Sequence, residues 1–220
     1  MKLAGVRAVL FDLDGTFADT APDLGRALNR MRLEQSLAPL SIETLRAHAS
    51  SGARGLIKAG FGLAPGNEGY ETLRERFLAL YEENLCIDTR VFDGIAALLD
   101  AIAARGLRWG IVTNKAERYT DPLLRRLGVD RGAACIVSGD STPHVKPHPA
   151  SLLRAAELLS LQPAACLYVG DDLRDIQAAR AAGMRFVAAG WGYLGDGQDP
   201  QTWGADAVLS SPGEIPNLLI

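Results

Sequence analysis

The 220-residue sequence predicts an α/β fold: a Rossmann-like parallel sheet flanked by helices, with an inserted α-helical domain. Short and almost continuous apolar runs, each ending in polar residues or glycine, are typical of buried parallel strands. Over most of the chain these runs alternate with helical patterns, which is the element order of an α/β domain. One long segment after the first run contains helical patterns only, and it predicts the insert.

The elements of the sheet domain follow one another in a regular order. Apolar runs predict strands at residues 6–11, 107–113, 133–138, 166–170 and 185–189. Helical patterns between them predict helices at residues 94–105, 119–127, 149–159 and 173–182. Glycine directly after a helical pattern is a common helix stop, and Gly106, Gly128 and Gly183 occupy such positions. The sheet domain therefore comprises residues 1–17 and 90–220.

The insert comprises residues 18–89. Loops that contain glycine and proline separate its helical patterns, which is typical of connections between helices. The predicted helices of the insert cover residues 22–33, 42–49, 55–61 and 70–84.

The composition limits the function classes. A formal net charge of −3, without a run of like charges, predicts neither nucleic acid nor an anionic membrane as a partner. The sequence shows no pattern of a signal peptide and no apolar stretch of the ~20 residues that a membrane helix needs. Cys86, Cys135 and Cys166 form no CxxC pair, which favours buried thiols in a reducing compartment. We therefore expect a soluble, cytoplasmic monomer or homodimer.

Two carboxylates follow the first predicted strand. Side chains alternate along a strand, so Asp12 and Asp14 point the same way at its carboxyl end, where open α/β sheets bind their ligands. Carboxylates this close repel each other unless a cation is near, and oxygen ligands of this kind suit Mg²⁺. A DxDG sequence alone is also typical of a solvated turn, so the prediction depends on the polar residues that follow the other strands.

Three further polar groups stand at equivalent places. The second strand ends at Thr113 and is followed by Asn114, and the side chains of both can donate hydrogen bonds to a phosphate oxygen. Lys146 lies in a VKPHP segment just before a helix, where the adjacent proline restricts its backbone. The strand at 166–170 is followed by an acidic cluster in which Asp172 also suits the N-cap of the next helix. The acidic cluster consists of Asp171, Asp172 and Asp175.

These motifs, in this order, resemble those of the haloacid dehalogenase superfamily of phosphohydrolases. The matching segments are FDLDGT, IVTN, VKPHP and VGDDLRDIQAARAAG, and the insert looks like the helical cap of that family. Among its members the phosphoglycolate-phosphatase-like group looks nearest. The segments SSGARGL, WGIVTNK, GDDLRDI and WGYLGDGQDPQTWGADAVL are also similar to those of bacterial N-acetylmuramic acid 6-phosphate phosphatases. Phe17 departs from the leucine that usually follows DGT, without consequence for the chemistry.

The resemblance implies a catalytic role for each core motif. Asp12 is the nucleophile that becomes an aspartyl-phosphate, and Asp14 is the general acid and base. Mg²⁺ is bound by the Asp12 carboxylate, the Asp14 backbone carbonyl and Asp171. Either Asp172 or Asp175 holds water bound to the metal. The residues that bind the phosphate oxygens are Thr113, Asn114 and Lys146.

The insert is expected to select the substrate, a small phosphorylated metabolite. The segment from Ser50 to Arg54 combines glycine, hydroxyl groups and one cation, and we expect Arg54 to contact a carboxylate on the substrate. A solvated surface arginine is the alternative. The predicted substrate-binding residues are Asn114, Arg54, Ser51, Gly52 and Lys115. The implied substrates are phosphoglycolate and N-acetylmuramic acid 6-phosphate, both of which carry a carboxylate.

Other activities remain open at this point. A phosphomutase of the same fold would keep all four motifs, and a sensor of phosphorylated metabolites is a non-catalytic alternative. A haloacid dehalogenase is disfavoured because those enzymes lack the counterpart of Asp14. A phosphonate hydrolase needs a Schiff-base lysine in the insert, and the single lysine there, Lys58, lies in an apolar helical pattern.

Overall fold

The computed structural model describes residues 2–195 and 199–220. Residues 196–198 of the WGYLGDGQDPQTWGADAVL segment lie outside the described residues. The strands are β1 (Ala8–Phe11), β2 (Ala18–Asp19), β3 (Arg90–Val91), β4 (Arg108–Val112), β5 (Cys135–Val137), β6 (Cys166–Gly170), β7 (Arg185–Ala189) and β8 (Ala207–Leu209). The α-helices are α1 (Ala21–Glu34), α2 (Ile42–Ala49), α3 (Gly52–Phe61), α4 (Tyr70–Glu83), α5 (Ile95–Ala104), α6 (Glu117–Leu127), α7 (Ala150–Leu158) and α8 (Leu173–Ala182). Short 3₁₀ helices occupy Pro163–Ala165, Pro200–Trp203 and Pro212–Asn217.

Six strands form one sheet in the order β5-β4-β1-β6-β7-β8, and every neighbouring pair is parallel. The predicted parallel sheet flanked by helices is therefore confirmed. Strand β8 was not predicted, because a run of three residues is too short to give a periodic signal. The central position of β1 brings its carboxyl end next to those of β4 and β6.

Both faces of β1 are buried, which explains its continuous apolar sequence. Ala8 and Leu10 pack into the apolar cluster on one face of the sheet, with residues of α7 and α8. Val9 and Phe11 pack into the cluster on the other face, which continues into the insert. The alternation of side chains along the strand thus assigns its residues to two cores.

The four helices α1–α4 lie between β2 and β3, which pair antiparallel with each other. Asp23 of α1 connects the two ends of this insert. Its buried carboxylate accepts hydrogen bonds from the backbone N–H groups of Ile87, Asp88 and Thr89, each at 3.0 Å. The Thr89 hydroxyl donates another at 2.6 Å. One carboxylate therefore satisfies four donors in the segment that returns to the sheet.

Helix α3 begins three residues earlier than the sequence predicts. We expected residues 52–54 in a loop because glycine usually interrupts a helical pattern, but they form the first turn of α3. Gly52 has φ +56°, a left-handed conformation that is inexpensive only for glycine. Only two residues separate the end of α2 from the start of α3. No helix in the described ranges is both long and apolar enough to cross a membrane.

Candidate active site

The candidate site lies at the carboxyl edge of the three central strands. Asp12 follows β1, Thr113 follows β4 and Asp171 follows β6, so the strand order brings these residues together. The backbone N–H of Asp12 still bonds to the Val169 carbonyl at 2.9 Å, which extends the pairing of β1 and β6 to the site. The sheet therefore holds the first motif rigidly.

Lys146 is the central cation of the site. Its ammonium Nζ lies 2.8 Å from an oxygen of Asp12 and 2.8 Å from an oxygen of Asp175. The buried Tyr168 hydroxyl accepts a hydrogen bond from Nζ at 2.7 Å, and the Val112 carbonyl accepts another at 3.2 Å. Burial alone would lower the pKa of Lys146, but the two carboxylates raise it, so the lysine stays charged.

Asn114 positions the Lys146 segment. Its side-chain amide donates to the Lys146 carbonyl at 2.9 Å and accepts from the Lys146 N–H at 2.9 Å. The Lys146–Pro147 peptide bond is cis. The sequence predicts a phosphate contact for the Asn114 side chain, whereas both of its polar atoms are engaged with the backbone here. This geometry favours a positioning role for that side chain.

Asp12, Asp171 and Asp175 form a cluster in which one oxygen of each carboxylate lies within 4.8 Å of the others. Burial raises the pKa of Asp12 to about 7, and the charges of Asp175 and Asp14 add to the rise while Lys146 opposes it. Burial and the charges of Asp12 and Asp175 also raise the pKa of Asp171 well above its usual range. One ammonium does not balance three carboxylates, so this donor set fits a divalent cation with oxygen ligands.

The Asp171 carboxylate fits beside the first motif because Gly15 has no side chain. Gly15 has φ +86°, and a Cβ atom at this position would lie 2.3 Å from an oxygen of Asp171. Thr16 donates its hydroxyl to the other oxygen at 2.8 Å, and the Tyr193 N–H donates to Asp171 at 2.8 Å. The FDLDGT motif therefore supplies both a carboxylate and the room for a second one.

Asp14 is held apart from this carboxylate cluster. The Lys115 ammonium lies 3.0 Å from its oxygen Oδ1, and the Thr20 hydroxyl donates to the same oxygen at 2.5 Å. The Lys115 ammonium also lies over the ring of Tyr81 from α4, 4.8 Å from the ring centroid. Asp14 thus has a different environment from Asp12.

Asp172 and Asp175, the two alternatives for holding water bound to the metal, have different surroundings in the structure. Asp175 belongs to the carboxylate cluster, whereas Asp172 caps helix α8. Both oxygens of Asp172 are bound by the guanidinium of Arg174, at 2.7 Å each. Burial alone would raise the pKa of Asp172, but the hydrogen bonds and charge of Arg174 lower it.

A cleft of about 870 Å³ lies between these core residues and the insert. Ser51, Gly52 and Arg54 line it from the first turn of α3, as do the aromatic side chains of Tyr70 and Phe77 from α4. The Arg54 guanidinium is exposed and forms no ion pair with any residue in the described ranges. The predicted substrate-binding residues and the core motifs therefore face one cleft.

Several residues of the site were not identified from the sequence. Tyr168 carries a signal in retrospect, because a tyrosine in a strand buried on both faces must find a partner for its hydroxyl. Arg174 gives none, since an arginine in the first turn of a helix is usually a surface residue. Tyr193 lies far along the chain, and only the fold brings its N–H to Asp171.

The fold and the clustered acids define a hydrolase whose carboxylates meet at the edge of a parallel sheet. The family described as haloacid dehalogenase-like hydrolase matches residues 9–189, and the chain belongs to it. It is similar to the N-acetylmuramic acid 6-phosphate phosphatase of Pseudomonas aeruginosa, with 40% identity over 219 residues that cover 100% of this chain and 97% of the relative. The phosphoglycolate phosphatase of Xanthomonas campestris is 42% identical over 210 residues, which cover 95% of this chain and 94% of the relative.

A solved structure shares the whole architecture. The crystal structure of a predicted phosphoglycolate phosphatase from Haemophilus somnus matches with a TM-score of 0.85 and 26% identity, covering 98% of each chain. The predicted enzyme class is confirmed: the chain is a phosphomonoester hydrolase of the haloacid dehalogenase-like family.

Proposed function

We propose that the protein is a Mg²⁺-dependent phosphatase that hydrolyses a carboxylate-bearing phosphomonoester through an aspartyl-phosphate at Asp12. The observation that carries this proposal is the contact of Lys146 with both Asp12 and Asp175 beside an acidic cluster suited to a cation. Lys146 opposes the rise in the pKa of Asp12 and places positive charge beside the carboxylate, which a carboxylate nucleophile needs.

The core residues account for both halves of the reaction. A carboxylate oxygen of Asp12 attacks phosphorus, and the ester P–O bond breaks with its electron pair on the leaving oxygen. Asp14 donates a proton to that oxygen. In the second half Asp14 takes a proton from water, which attacks the aspartyl-phosphate and releases phosphate while Asp12 regains its carboxylate. Lys146 and Thr113 stabilise the negative oxygens of the transferring group.

The metal site of the proposal uses Asp12, Asp171 and Asp175, with the Asp14 backbone carbonyl as a further ligand. A bound Mg²⁺ supplies positive charge that lets one anion approach another. Asp172 is the less suitable acid, because Arg174 occupies both of its oxygens. Ca²⁺ accepts more ligands at longer distances, so we expect it to inhibit the enzyme.

The catalytic proposal is tested with Asp12→Asn and a malachite-green assay of released phosphate. Asp12→Asn should fold and lose activity by many powers of ten, because an amide is a poor nucleophile. Asp100→Asn, an exposed change in α5, is the matched control and should keep full activity. Wild-type turnover should vanish in excess chelator and return with Mg²⁺. Residual activity of Asp12→Asn above about a thousandth of wild type would contradict covalent catalysis.

Free phosphate release also separates hydrolysis from the two alternatives. A phosphomutase would rearrange a sugar phosphate without releasing phosphate in step with substrate loss. A sensor would bind a phosphorylated metabolite and turn nothing over. The panel of substrates contains phosphoglycolate, N-acetylmuramic acid 6-phosphate, sugar phosphates without a carboxylate, and p-nitrophenyl phosphate.

We further propose that residues 18–89 form the domain that selects the substrate. The names of the two relatives specify substrates that both carry a carboxylate, and Arg54 lines the cleft without an ion-pair partner among the residues described. A cleft of about 870 Å³ is large for phosphoglycolate alone and has room for a phosphorylated amino sugar. Aromatic side chains along α4 provide apolar area for a sugar ring.

Arg54→Ala tests the carboxylate contact. Catalytic efficiency on the carboxylate substrate should fall by about 2–4 kcal/mol, because the variant leaves a charge of the bound substrate unpaired. Efficiency on p-nitrophenyl phosphate should change far less. Lys58→Ala is the matched control, since Lys58 is another exposed cation of α3 and does not line the cleft. Equal losses on both substrates would assign Arg54 a structural role in the insert.

A further inference from the structure

Arg174 connects the insert to the catalytic core. Its Nε and Nη2 atoms donate to the two oxygens of Asp172 at 2.7 Å each. The same Nη2 donates to the backbone carbonyl of Ser50 at 2.8 Å. Ser50 belongs to the insert, where it is the C-cap residue of α2, and its own hydroxyl lies 3.3 Å from Asp171. The catalytic steps described above make no use of Arg174.

Two helix ends explain why this contact is favourable. The last carbonyl groups of a helix lack partners within it and carry partial negative charge, so a guanidinium at the end of α2 satisfies the Ser50 carbonyl. Arg174 itself lies in the first turn of α8, a position that disfavours a cation. Asp172 offsets that cost with a planar, two-point ion pair, in which the Arg174 side chain is only 25% exposed.

We infer that Arg174 is a positioning residue that holds the turn from Ser50 to Arg54 over the active site, and that Asp172 holds Arg174 rather than serving the metal. This inference rests on the proposed role of that turn in substrate selection. The Ser50 hydroxyl is a second link from this turn to the core, and it donates to Asp171 at the longer distance of 3.3 Å. The Ser51 and Gly55 N–H groups bond within the insert, to the His48 and Ser51 carbonyls.

A different role for Arg174 would be direct contact with the substrate, since its side chain also lines the cleft. The two roles differ in the substrate-free enzyme. A positioning residue orders the turn before substrate arrives, whereas a substrate contact has no effect on the turn until then. Hydrogen–deuterium exchange of backbone amides in the absence of substrate therefore distinguishes them.

The first experiment measures amide exchange of residues 49–56 in the metal-loaded, substrate-free enzyme. Arg174→Ala should accelerate exchange in this segment at least about tenfold and leave α7 unchanged. Arg174→Lys keeps the charge but cannot form the two-point ion pair. Its amide exchange at residues 49–56 should therefore be faster than in the wild type and slower than in Arg174→Ala. Arg154→Ala removes an exposed ion pair with Glu157 in α7 and is the matched control. Unchanged exchange at residues 49–56 in Arg174→Ala would overturn the inference.

The second experiment is a double-mutant cycle of Arg174→Ala and Asp172→Asn. Asparagine is also a good N-cap residue, so the Asp172→Asn variant should keep the start of α8 intact. If Asp172 acts only through Arg174, the double variant should lose no more catalytic efficiency on the carboxylate substrate than Arg174→Ala alone. Additive losses would mean that Asp172 has an independent task. Calorimetric titration with Mg²⁺ should give the same dissociation constant for Asp172→Asn as for the wild type. A dissociation constant that is about 10-fold higher or more would mean that Asp172 contributes to the metal site.

The outcome for Arg174 is independent of the outcome for Arg54. If Arg174→Ala loosens the turn while Arg54→Ala spares the carboxylate substrate, the positioning role stands and the carboxylate contact is wrong. If p-nitrophenyl phosphate turnover by the wild type is absent, the proposed catalysis fails, and amide exchange still reports on the turn.

Discussion

Asp12 works in a cluster that carries more negative than positive charge. Lys146 faces Asp12 and Asp175, while Asp171 lies close to both acids without a cation of its own among the described residues. Like charges in a buried site destabilise the fold, and active sites commonly keep such groups because the chemistry requires them. We therefore expect the metal-free protein to be less stable with the Asp12 carboxylate than with an uncharged side chain at this position.

The pKa of Asp12 sets the pH range in which this cost applies. The pKa rises from 3.8 to about 7 on folding, so between these values the unfolded chain has released a proton that the folded protein retains. Below pH 4 Asp12 is protonated in both states and does not lower the free energy of unfolding. Its contribution lowers that free energy increasingly as the pH rises towards 7, and above pH 7 the full decrease remains. Asp12→Asn removes the titrating group.

In excess chelator at pH 8, Asp12→Asn should therefore raise the melting temperature, by about 2–4 °C for each kcal/mol gained. At pH 4 the difference from wild type should be small, because Asp12 is protonated in the folded protein. Differential scanning calorimetry of both proteins at both pH values measures this, with Asp100→Asn as the exposed control. A variant that melts below wild type at pH 8 would show that the Lys146 ion pair outweighs the repulsion.

Residue types and spacing were sufficient to predict the residues at the strand ends. Asp12, Thr113 and Asp171 follow apolar runs directly, so their position could be inferred without knowing the strand order. The partners of these residues were not predictable in the same way. Tyr168 reaches Lys146 across neighbouring strands and Arg174 reaches Ser50 across the domain boundary, contacts that depend on the complete fold.

At the level of elements, the attachment of α1 to the return segment at residues 87–89 is a buried, charge-assisted polar contact. The Asp23 carboxylate is buried and accepts from three backbone N–H groups, from the Thr89 hydroxyl and from Arg26. Hydrogen bonds to a charged acceptor are stronger than neutral ones, and unpaired buried N–H groups are costly. The attachment of α1 to residues 87–89 therefore depends largely on one side chain.

Asp23→Asn should reduce the free energy of unfolding by about 2–3 kcal/mol, because the amide NH₂ group faces N–H donors that lose their acceptor. Urea denaturation followed by circular dichroism measures the change. Asp121→Asn is the matched control: Asp121 forms an exposed i,i+4 pair with Arg125 in α6, and its loss should cost less than about 0.5 kcal/mol. A cost of that small size for Asp23→Asn would mean that the return segment is held by its apolar contacts.

The boundaries of short elements were the least predictable feature at this scale. Strands β2 and β3 have two residues each, and their pairing depends on chain segments about seventy positions apart. The start of α3 differs from the prediction for another reason: Gly52 has a positive φ and yet is the first residue of the helix. Local periodicity contains neither piece of information.

For the whole molecule, alternating apolar and helical patterns predicted the parallel sheet but not its strand order. The order β5-β4-β1-β6-β7-β8 depends on pairing between distant segments, for which a single sequence gives no local signal. The cleft has the same origin, because it needs α4 to face the carboxyl edge of the sheet. The types of residue at the site could therefore be predicted from the sequence, whereas the shape of the cleft could not.

The central place of β1 has a consequence for how the polypeptide acquires its structure during synthesis. Its two neighbours, β4 and β6, begin at Arg108 and Cys166, so the first strand leaves the ribosome long before either partner exists. The helices α1–α4 follow it and make mostly local contacts, which form quickly. Asp12 therefore follows a strand that has neither neighbour until residues 108–112 and 166–170 have been synthesised. The carboxylate cluster of Asp12, Asp171 and Asp175 can therefore assemble only late in synthesis, after all three residues have emerged.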